Sequence, residues 1–485
     1  MAETTLPAGS DPAVEDITTI ETSERVAVSV FYVLFISAVA AIGGFLFGFD
    51  SGVINGTVGA LENAFDAGSI GTGFSVASVL LGCAAGALAA GPIADRFGRK
   101  WTMVVTAVVF AVSAVGSGIA GSAAEFIVYR LIGGLGVGAA SVLAPAYIAE
   151  VAPAALRGRL ATLQQLAIVI GLFSAFFSNF TIASVSGSAE AAFWLGIPSW
   201  RWMFWVELIP ALLFLTGALI IPESPRFLVS QGRIEAARAV FRRIAPGSEN
   251  AQIHEVRRSL HGERKPRFTD LLIEGSRRVH PIVWVGIALS MFQQLVGINV
   301  VFYYGSQLWQ AAGYDESQSL FINVVTGTTN IAATFIAIAL VDRIGRKPLL
   351  LVGSIGMSVT LGIMTYLFAT AGLDADGNLI LSPEKGIWAL TAANLYIVFF
   401  GMSWGPVVWV LLGEMFNNRI RGAALAVSAS AQWIANFAVT MTFPILLAGI
   451  GLGGAYGIYA GAALVSVLFV ALFVKETRGR RLEEM

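Results

Sequence analysis

The chain has 485 residues, of which 56% are hydrophobic and only 13% are charged, and its formal net charge is −1 at pH 7. A soluble protein of this length needs far more charge on its surface, so the composition argues against a soluble enzyme. The near-neutral balance gives no basic excess for binding nucleic acid. The single cysteine, Cys83, permits no internal disulfide and no thiolate metal site, and we expect no metal and no other cofactor.

Twelve apolar runs are each long enough to cross a bilayer, which takes about 20 apolar residues. In chain order they cover 28–58, 69–92, 101–121, 124–148, 159–184, 200–221, 280–310, 317–341, 347–370, 386–413, 420–447 and 452–474. We number them spans 1 to 12. The sequence therefore predicts an all-α membrane protein with twelve transmembrane helices, surrounded by the lipid bilayer.

The basic residues are distributed unevenly between the two ends of these spans. Of the 30 lysines and arginines, 27 fall on the side of the chain termini, whereas Arg201 and Lys385 fall on the other side and Arg130 lies within a span. The positive-inside rule makes the basic side cytoplasmic. The first 27 residues, with six acids and one base, are too polar for a signal peptide. We expect both termini in the cytoplasm.

A polar segment divides the chain into two halves of six spans each. It shows helical patterns around Gln231–Ile244 and Gln252–Leu260, and it is either a solvated connector or a regulatory interface. The predicted organisation is a cytoplasmic tail over 1–27, a six-helix bundle over 28–221, a cytoplasmic connector over 222–279, a second bundle over 280–474 and a tail over 475–485.

Short charged motifs recur in the two halves, after their second and fourth spans. Asp95–Lys100 matches Asp342–Lys347, and Glu150 with Arg157 matches Glu414 with Arg421. Paired bundles with internal repeats are typical of transporters. These charges either stabilise loops or form latches that open and close during transport. The predicted latch residues are Asp95, Arg96, Arg99, Glu150, Arg157, Asp342, Arg343, Arg346, Glu414 and Arg421.

Three ionisable residues fall inside spans of the first half: Asp50, Arg130 and Glu207. Such residues are costly in a bilayer and usually functional. Counted at 1.5 Å per residue, all three lie roughly 9–12 Å below the outer surface, which predicts one cluster. Proton coupling is one interpretation, with Asp50 carrying the proton, Arg130 as its partner and Glu207 as a modulator. The other is a static ion pair that joins spans 1 and 4.

Neutral amides and aromatic rings fall near the middle of spans in the second half and of span 5. Amides both donate and accept hydrogen bonds, which suits sugar hydroxyls, although they also join helices in membrane bundles. Trp404, Trp409, Trp433, Tyr303 and Tyr304 offer flat faces for a sugar ring. Gly297, Gly405 and Pro406 are expected to interrupt spans 7 and 10, as in transporters with broken helices.

The motifs together resemble the sugar porter family of the major facilitator superfamily over about residues 30–480. The motifs that carry the resemblance are Gly91–Lys100, Tyr129–Gly134, Pro222–Arg226, Gln293–Asn299, Trp404–Pro406 and Glu476–Thr477. The resemblance implies the major facilitator fold, with two pseudo-symmetric six-helix bundles. The sugar contacts that it implies are Gln165, Gln293, Gln294, Asn299, Asn330, Trp404, Gln432 and Asn436.

Family members that couple sugar to protons carry an acid in the first span, where facilitative members carry asparagine, so Asp50 favours symport. We therefore predict a proton-coupled importer of a neutral monosaccharide, monomeric and in the bacterial inner membrane. The alternatives are a facilitative sugar uniporter, a sugar sensor that does not transport, and a drug–proton antiporter. The predicted C-terminal tail of about 11 residues counts against a sensor, and the amide-rich spans count against an antiporter.

Overall fold

The computed structural model describes residues 29–153, 156–262, 268–273, 276, 278–373, 379–417 and 420–478. Eleven helical segments of this part of the chain are long and apolar enough to cross a membrane. The last of them, Arg421–Phe473, has 53 residues and contains Gly451 with φ of 70° and ψ of 178°. A left-handed φ of this kind favours glycine and breaks a helix. This segment therefore supplies spans 11 and 12, and the prediction of twelve spans is confirmed.

The first half contains six spans and one short helix. They are α1 (Val30–Val53), α2 (Val58–Phe65), α3 (Ser69–Phe97), α4 (Arg99–Ile119), α5 (Ala123–Val151), α6 (Arg157–Ser186), and α7 (Ser199–Trp205) with α8 (Leu208–Ile220). Of these, α2 is the short helix, and it lies between spans 1 and 2. Span 6 is divided at Val206 and Glu207 because Pro210, one turn later, has no N–H to donate to the Val206 carbonyl.

Three helices follow in the connector and precede the second half. They are α9 (Pro225–Ser230), α10 (Ile234–Ile244) and α11 (Glu249–Gly262). The sequence predicts α10 and α11 but misses α9. The second half comprises α12 (Pro281–Leu295), α13 (Ile298–Ala311), α14 (Glu316–Ile344), α15 (Arg346–Ala369), α16 (Pro383–Phe399), α17 (Gly405–Met415) and α18 (Arg421–Phe473). A small antiparallel hairpin of β1 (Gly372–Leu373) and β2 (Leu379–Ile380) precedes α16.

Spans 7 and 10 are broken where the sequence predicts. Gly297, with φ of 83°, separates α12 from α13, and Tyr396 donates from its hydroxyl to the Val296 carbonyl at 2.8 Å. In span 10, a π-helical turn over Phe400–Trp404 separates α16 from α17 before Pro406. Gln293 Nε2 donates to the carbonyls of Trp404 at 2.7 Å and Gly405 at 3.1 Å. Side chains thus satisfy the backbone groups that these breaks release, as a bilayer requires.

Several hydrogen bonds between the two halves cluster at one face of the bundle. The Ser29 amide donates to the Ile244 carbonyl of α10, so α1 begins at the face that carries the connector, and we call this the connector face. At the opposite face, Asn323 Nδ2 donates to Asn55 Oδ1 at 2.8 Å, and the Ala189 amide donates to Glu316 at 2.8 Å. The bundle is therefore closed at the face opposite the connector.

Candidate functional site

A buried ion pair joins α1 to α5 within the membrane. Arg130 Nη1 lies 2.6 Å from Asp50 Oδ1, and Arg130 Nη2 donates to the Asp50 carbonyl at 3.4 Å. Both side chains are 1% exposed. Gly133 lies beside this pair, and a Cβ there would lie 3.5 Å from Asp50 Oδ1, an ordinary contact, but only 2.3 Å from Ser113 Oγ. Asp50 Oδ2 and Arg130 Nε have no hydrogen-bond partner among the described residues.

Glu207 lies at the break of span 6, and it is also 1% exposed. Neither of its carboxylate oxygens has a hydrogen-bond partner within the described part of the chain. It is close enough to Asp50 and Arg130 to interact with both electrostatically. The structure therefore brings together the three ionisable residues that the sequence places in one layer. Two buried carboxylates therefore lie near one arginine, and only Asp50 contacts it directly.

A chain of amides runs from the break in span 7 to the break in span 10. Asn299 Nδ2 donates to Gln294 Oε1 at 2.5 Å, and Gln294 Nε2 lies 3.5 Å from Gln293 Oε1. Gln293 in turn donates to the carbonyls of span 10 described above. The chain fixes the orientation of three amides and leaves further donors and acceptors on Asn299 and Gln294. The local geometry suits a ligand with several hydroxyl groups.

The remaining predicted sugar contacts lie on other helices. Asn330 of α14 is buried beside Gly401, where a Cβ would lie 3.1 Å from Asn330 Oδ1. On α18, Gln432 Oε1 is buried without a partner among the described residues, and Asn436 Oδ1 accepts from Thr440 Oγ1 at 3.1 Å. Gln165 of α6 is half-buried. The assignment of these residues to sugar binding stays a prediction.

Tyr303 connects the ion pair to this group of amides. Its hydroxyl lies near Ser51, the residue after Asp50, and near Asn436 on α18. The ring is buried between the two halves. The sequence indicates Tyr303 only as an aromatic surface, because span spacing alone cannot show that its hydroxyl reaches the first half.

Trp404 is fully buried, and its indole N–H donates to Ser354 Oγ at 2.9 Å. That bond ties span 10 to α15 and uses the only donor of the side chain. Trp409, which follows in α17, is 43% exposed. Between Trp404 and Trp409, Trp409 therefore has the more accessible ring face.

The predicted latch residues of the first half form a network at the connector face. Arg99 Nη2 lies 3.0 Å from Glu150 Oε1, and Arg99 Nη1 lies 2.9 Å from Asp95 Oδ1. Glu223 accepts from the Arg99 and Lys100 amides at 2.8 and 3.1 Å, so it caps the start of α4. Arg96 does not join this network; its guanidinium stacks over the Phe97 ring at 5.4 Å. The Arg157 side chain lies outside the described residues.

The second half repeats this network. Arg346 Nη2 lies 2.8 Å from Glu414 Oε1, and Arg346 Nη1 lies 3.1 Å from Asp342 Oδ1. Glu476 accepts from the Arg346 and Lys347 amides at 3.1 and 3.0 Å. Burial opposes ionisation of Glu476, but backbone N–H donors outweigh it and lower the pKa of this carboxyl.

Two further latch residues of the second half are placed differently. Arg421 does not reach Glu414; it donates to the Phe416 carbonyl at 3.2 and 3.1 Å, because it begins α18 directly after the turn that ends α17. The Arg343 side chain is exposed, and its carbonyl accepts from Arg478. The expected pairing of Glu414 with Arg421 is therefore replaced by the pairing of Glu414 with Arg346.

Asn55 is the main residue of this structure that sequence reasoning missed. Its Nδ2 donates to the Phe302 carbonyl at 2.9 Å, and its Oδ1 accepts from the Ser306 amide at 3.0 Å and from Asn323. One buried side chain of the first half thus binds two helices of the second. An asparagine within an apolar span is the only signal that the sequence offers.

Comparison with known proteins agrees with this architecture. The model of the family described as "Sugar (and other) transporter" matches residues 36–485. The glucose transport protein of Synechocystis is 56% identical over 460 residues, which cover 94% of this chain and 97% of that protein. The D-xylose–proton symporter of Escherichia coli K12 is 40% identical over 487 residues, which cover 94% and 95%.

A solved structure extends the likeness to three dimensions. The inward-open xylose transporter of E. coli superimposes with a TM-score of 0.80 at 37% identity, covering 93% of this chain and 98% of that one. Fold, sequence motifs and family match therefore coincide over nearly the whole chain. The protein belongs to the sugar transporter family and has the twelve-helix major facilitator fold.

Proposed function

We propose that this protein imports a neutral monosaccharide together with a proton by alternating access. The observation that carries the proposal is the fully buried Asp50–Arg130 pair with Glu207 beside it. A static pair of Asp50 with Arg130 needs no second carboxylate beside it, whereas at a proton site a second carboxylate can alter the proton affinity of the first. Support also comes from the 40% identical relative, which is a D-xylose–proton symporter.

In this mechanism Asp50 carries the proton and Arg130 controls its release. When the ion pair forms, the guanidinium favours the charged carboxylate and expels the proton. When a conformational change separates the pair, burial favours the neutral acid, which then binds a proton. Glu207 modulates the balance because its charge acts on both partners.

The sugar in this proposal binds between the halves, against the amides of spans 7, 8 and 11, with Gln165 and a tryptophan of span 10. Hydroxyl groups of a hexose or pentose match the spare donors and acceptors of Gln294 and Asn299. The names of the relatives include both a glucose and a xylose carrier, so both sugars belong in the substrate panel. Tyr303, which lies near Ser51 and Asn436, connects sugar binding to the proton site.

The proposal also assigns a conformation and an orientation. The positive-inside rule makes the connector face cytoplasmic, which puts both termini on the cytoplasmic side of a bacterial inner membrane. The hydrogen bonds of Asn55 then seal the outer face, and the structure is inward-facing. The paired networks around Arg99 and Arg346 hold each bundle together while the halves rock against each other, and one chain suffices for this cycle.

The test is sugar uptake into proteoliposomes with and without an inward proton gradient, for the wild type and Asp50→Asn. Labelled xylose, glucose and galactose form the panel. We expect gradient-driven accumulation in the wild type, and loss of accumulation with retained exchange in Asp50→Asn. Glu235→Gln, which neutralises an exposed acid of α10, is the control and should accumulate sugar normally.

Equilibration without accumulation in the wild type would overturn the coupling and leave a facilitative uniporter with a static Asp50–Arg130 pair. Failure of both proteins to move any sugar, with normal folding, would overturn the substrate class.

A further inference from the structure

A groove with a volume of about 430 Å³ lies at the connector face of the first half. Its walls come from the end of α3, the first turn of α4, the segment after span 6, and helices α9 and α10. Phe97 and Trp101, each 56% exposed, form its edge where spans 2 and 3 leave the bilayer. The groove therefore opens at the border between the membrane and the aqueous phase, where tryptophans characteristically lie.

Three cationic side chains line this groove: Lys100, Arg233 and Arg243. Arg233 and Arg243 are exposed and form no ion pair with any described residue. Lys100 Nζ uses one of its three hydrogens on the Leu219 carbonyl at 2.8 Å and keeps two. One carboxylate, that of Glu223, also lines the groove, and its Oε1 accepts from the amides of Arg99, Lys100 and Ser224. The groove thus retains an excess of unpaired positive charge.

The other walls are apolar, with Phe227, Leu228 and Val240 among them. A small soluble anion would be bound by the cations but would leave these walls and the Trp101 ring in contact with water. An amphiphile with a phosphate headgroup and an acyl chain uses both surfaces. Charge and shape together favour a phospholipid over a free phosphate.

The second half provides a comparison within the same chain. Its network repeats that of the first half, and Lys347 Nζ donates to the Ala471 carbonyl at 2.9 Å, as Lys100 does to Leu219. The helices α9 and α10, which complete the groove, are packed on the first half, where Ser29 bonds Ile244. Lys347 does not line this groove. The lysine and its helix cap are therefore shared by both halves, whereas the cluster with Arg233 and Arg243 belongs to the first.

We propose that this groove is a binding site for the phosphate headgroup of an anionic phospholipid, held by Lys100, Arg233 and Arg243 with its acyl chain against Trp101 and Phe97. The site is separate from the sugar site, and it does not depend on whether transport is coupled to protons. Its location on α10 and at the start of α4 lets a bound lipid join the connector to the transport domain.

The experiment is native mass spectrometry of the delipidated full-length protein in detergent, titrated with phosphatidylglycerol, phosphatidylethanolamine or inorganic phosphate. The variant Arg233→Gln/Arg243→Gln removes two cations of the groove. Arg242→Gln/Arg258→Gln is the matched control, since it removes the same charge from exposed arginines of α10 and α11 that do not line the groove. Lys100→Gln and Lys347→Gln form a second matched pair.

We expect phosphatidylglycerol to bind in preference to phosphatidylethanolamine. In Arg233→Gln/Arg243→Gln its affinity should fall roughly 30-fold, equivalent to about 2 kcal/mol. The control double variant should keep wild-type affinity, and Lys100→Gln should weaken binding more than Lys347→Gln does.

Three results would overturn the proposal. Equal losses in the two double variants would show general attraction to surface charge. Equal binding of both lipids would remove the requirement for an anionic headgroup. Competition by millimolar inorganic phosphate that abolishes lipid binding would assign the groove to a free anion.

Discussion

Asn323 Nδ2 donates to Asn55 Oδ1 at 2.8 Å, and this bond crosses from the second half of the transporter to the first. Both side chains are buried, and Asn55 makes further hydrogen bonds to the backbone of α13. Three bonds at one residue therefore close the face opposite the connector. Because transport requires that face to open, their net strength helps to set the balance between the two conformations.

We expect Asn55→Ala to shift this balance toward opening of the face opposite the connector. At about 0.5–1.5 kcal/mol per net hydrogen bond, the change is about 2 kcal/mol, or roughly 30-fold in the equilibrium. Double electron–electron resonance measures this shift as the distance between spin labels at Ala64→Cys and Ser317→Cys, introduced in a Cys83→Ser background. Asn63→Ala is the control, since Asn63 bonds Glu190 within the first half. Unchanged distances in Asn55→Ala would contradict the role of Asn55.

Arg130→Gln should destabilise the protein more than removal of the whole pair. Loss of the arginine leaves Asp50 as an uncompensated buried charge, which costs about 3–5 kcal/mol. In Arg130→Gln/Asp50→Asn neither member of the pair is charged, and we expect most of that loss to be recovered. Unfolding in mixed detergent micelles measures the difference, with Arg242→Gln as an exposed control. If the double variant is as unstable as Arg130→Gln, the destabilisation has a cause other than the unpaired charge.

The two networks at the connector face should contribute equally to stability. Their geometry is repeated, so double-mutant cycles for Arg99 with Glu150 and for Arg346 with Glu414 should each give a coupling of about 1–2 kcal/mol. The exposed pair of Arg238 with Glu235 on α10 should give only about 0.3 kcal/mol. Thermal unfolding of the purified variants provides the values. If only one half shows a coupling, the two networks share their geometry but do not contribute equally to stability.

Glu476→Gln should lower the melting temperature at neutral pH, because the amide replaces a carboxylate that caps α15. The pKa of Glu476 is lowered in the folded protein, so its stabilisation is complete above the ordinary value of 4.5. It disappears as the pH falls through the lower folded value. The difference between wild type and variant should therefore shrink as the pH is lowered below 4.5. Glu384→Gln, which neutralises an exposed acid of α16, is the control for the loss of one surface charge.

Trp404 and Trp409 of span 10 should respond differently to substitution. Trp404→Phe removes the buried hydrogen bond to Ser354, so we expect a loss of stability of about 1–3 kcal/mol. Trp409→Phe leaves the buried core of span 10 intact, so we expect near-normal stability and a higher KM for sugar exchange. Thermal unfolding and exchange kinetics on the same preparations separate the two effects. A raised KM in Trp404→Phe with unchanged stability would instead assign the sugar contact to Trp404.

Hydrophobic patterning was sufficient to predict the twelve spans of this protein, their ends to within a few residues, and the division into two halves. The reason is that a bilayer constrains every spanning helix in length and composition. Gly297 and Pro406 likewise predicted the breaks in spans 7 and 10, since their backbone properties are local. The repeat of Asp95–Lys100 in Asp342–Lys347 was also readable from the sequence alone.

Only the tertiary structure decided which polar groups meet. Counting residues placed Asp50, Arg130 and Glu207 at one depth, but helix rotation determines that Arg130 contacts Asp50 while Glu207 remains without a hydrogen bond. The same rotation buries Trp404 and exposes Trp409. Contacts across the two halves, such as Asn55 with Asn323, join residues far apart in sequence, and their formation depends on the conformational state. Linear spacing carries no information about that state, because one sequence must form both.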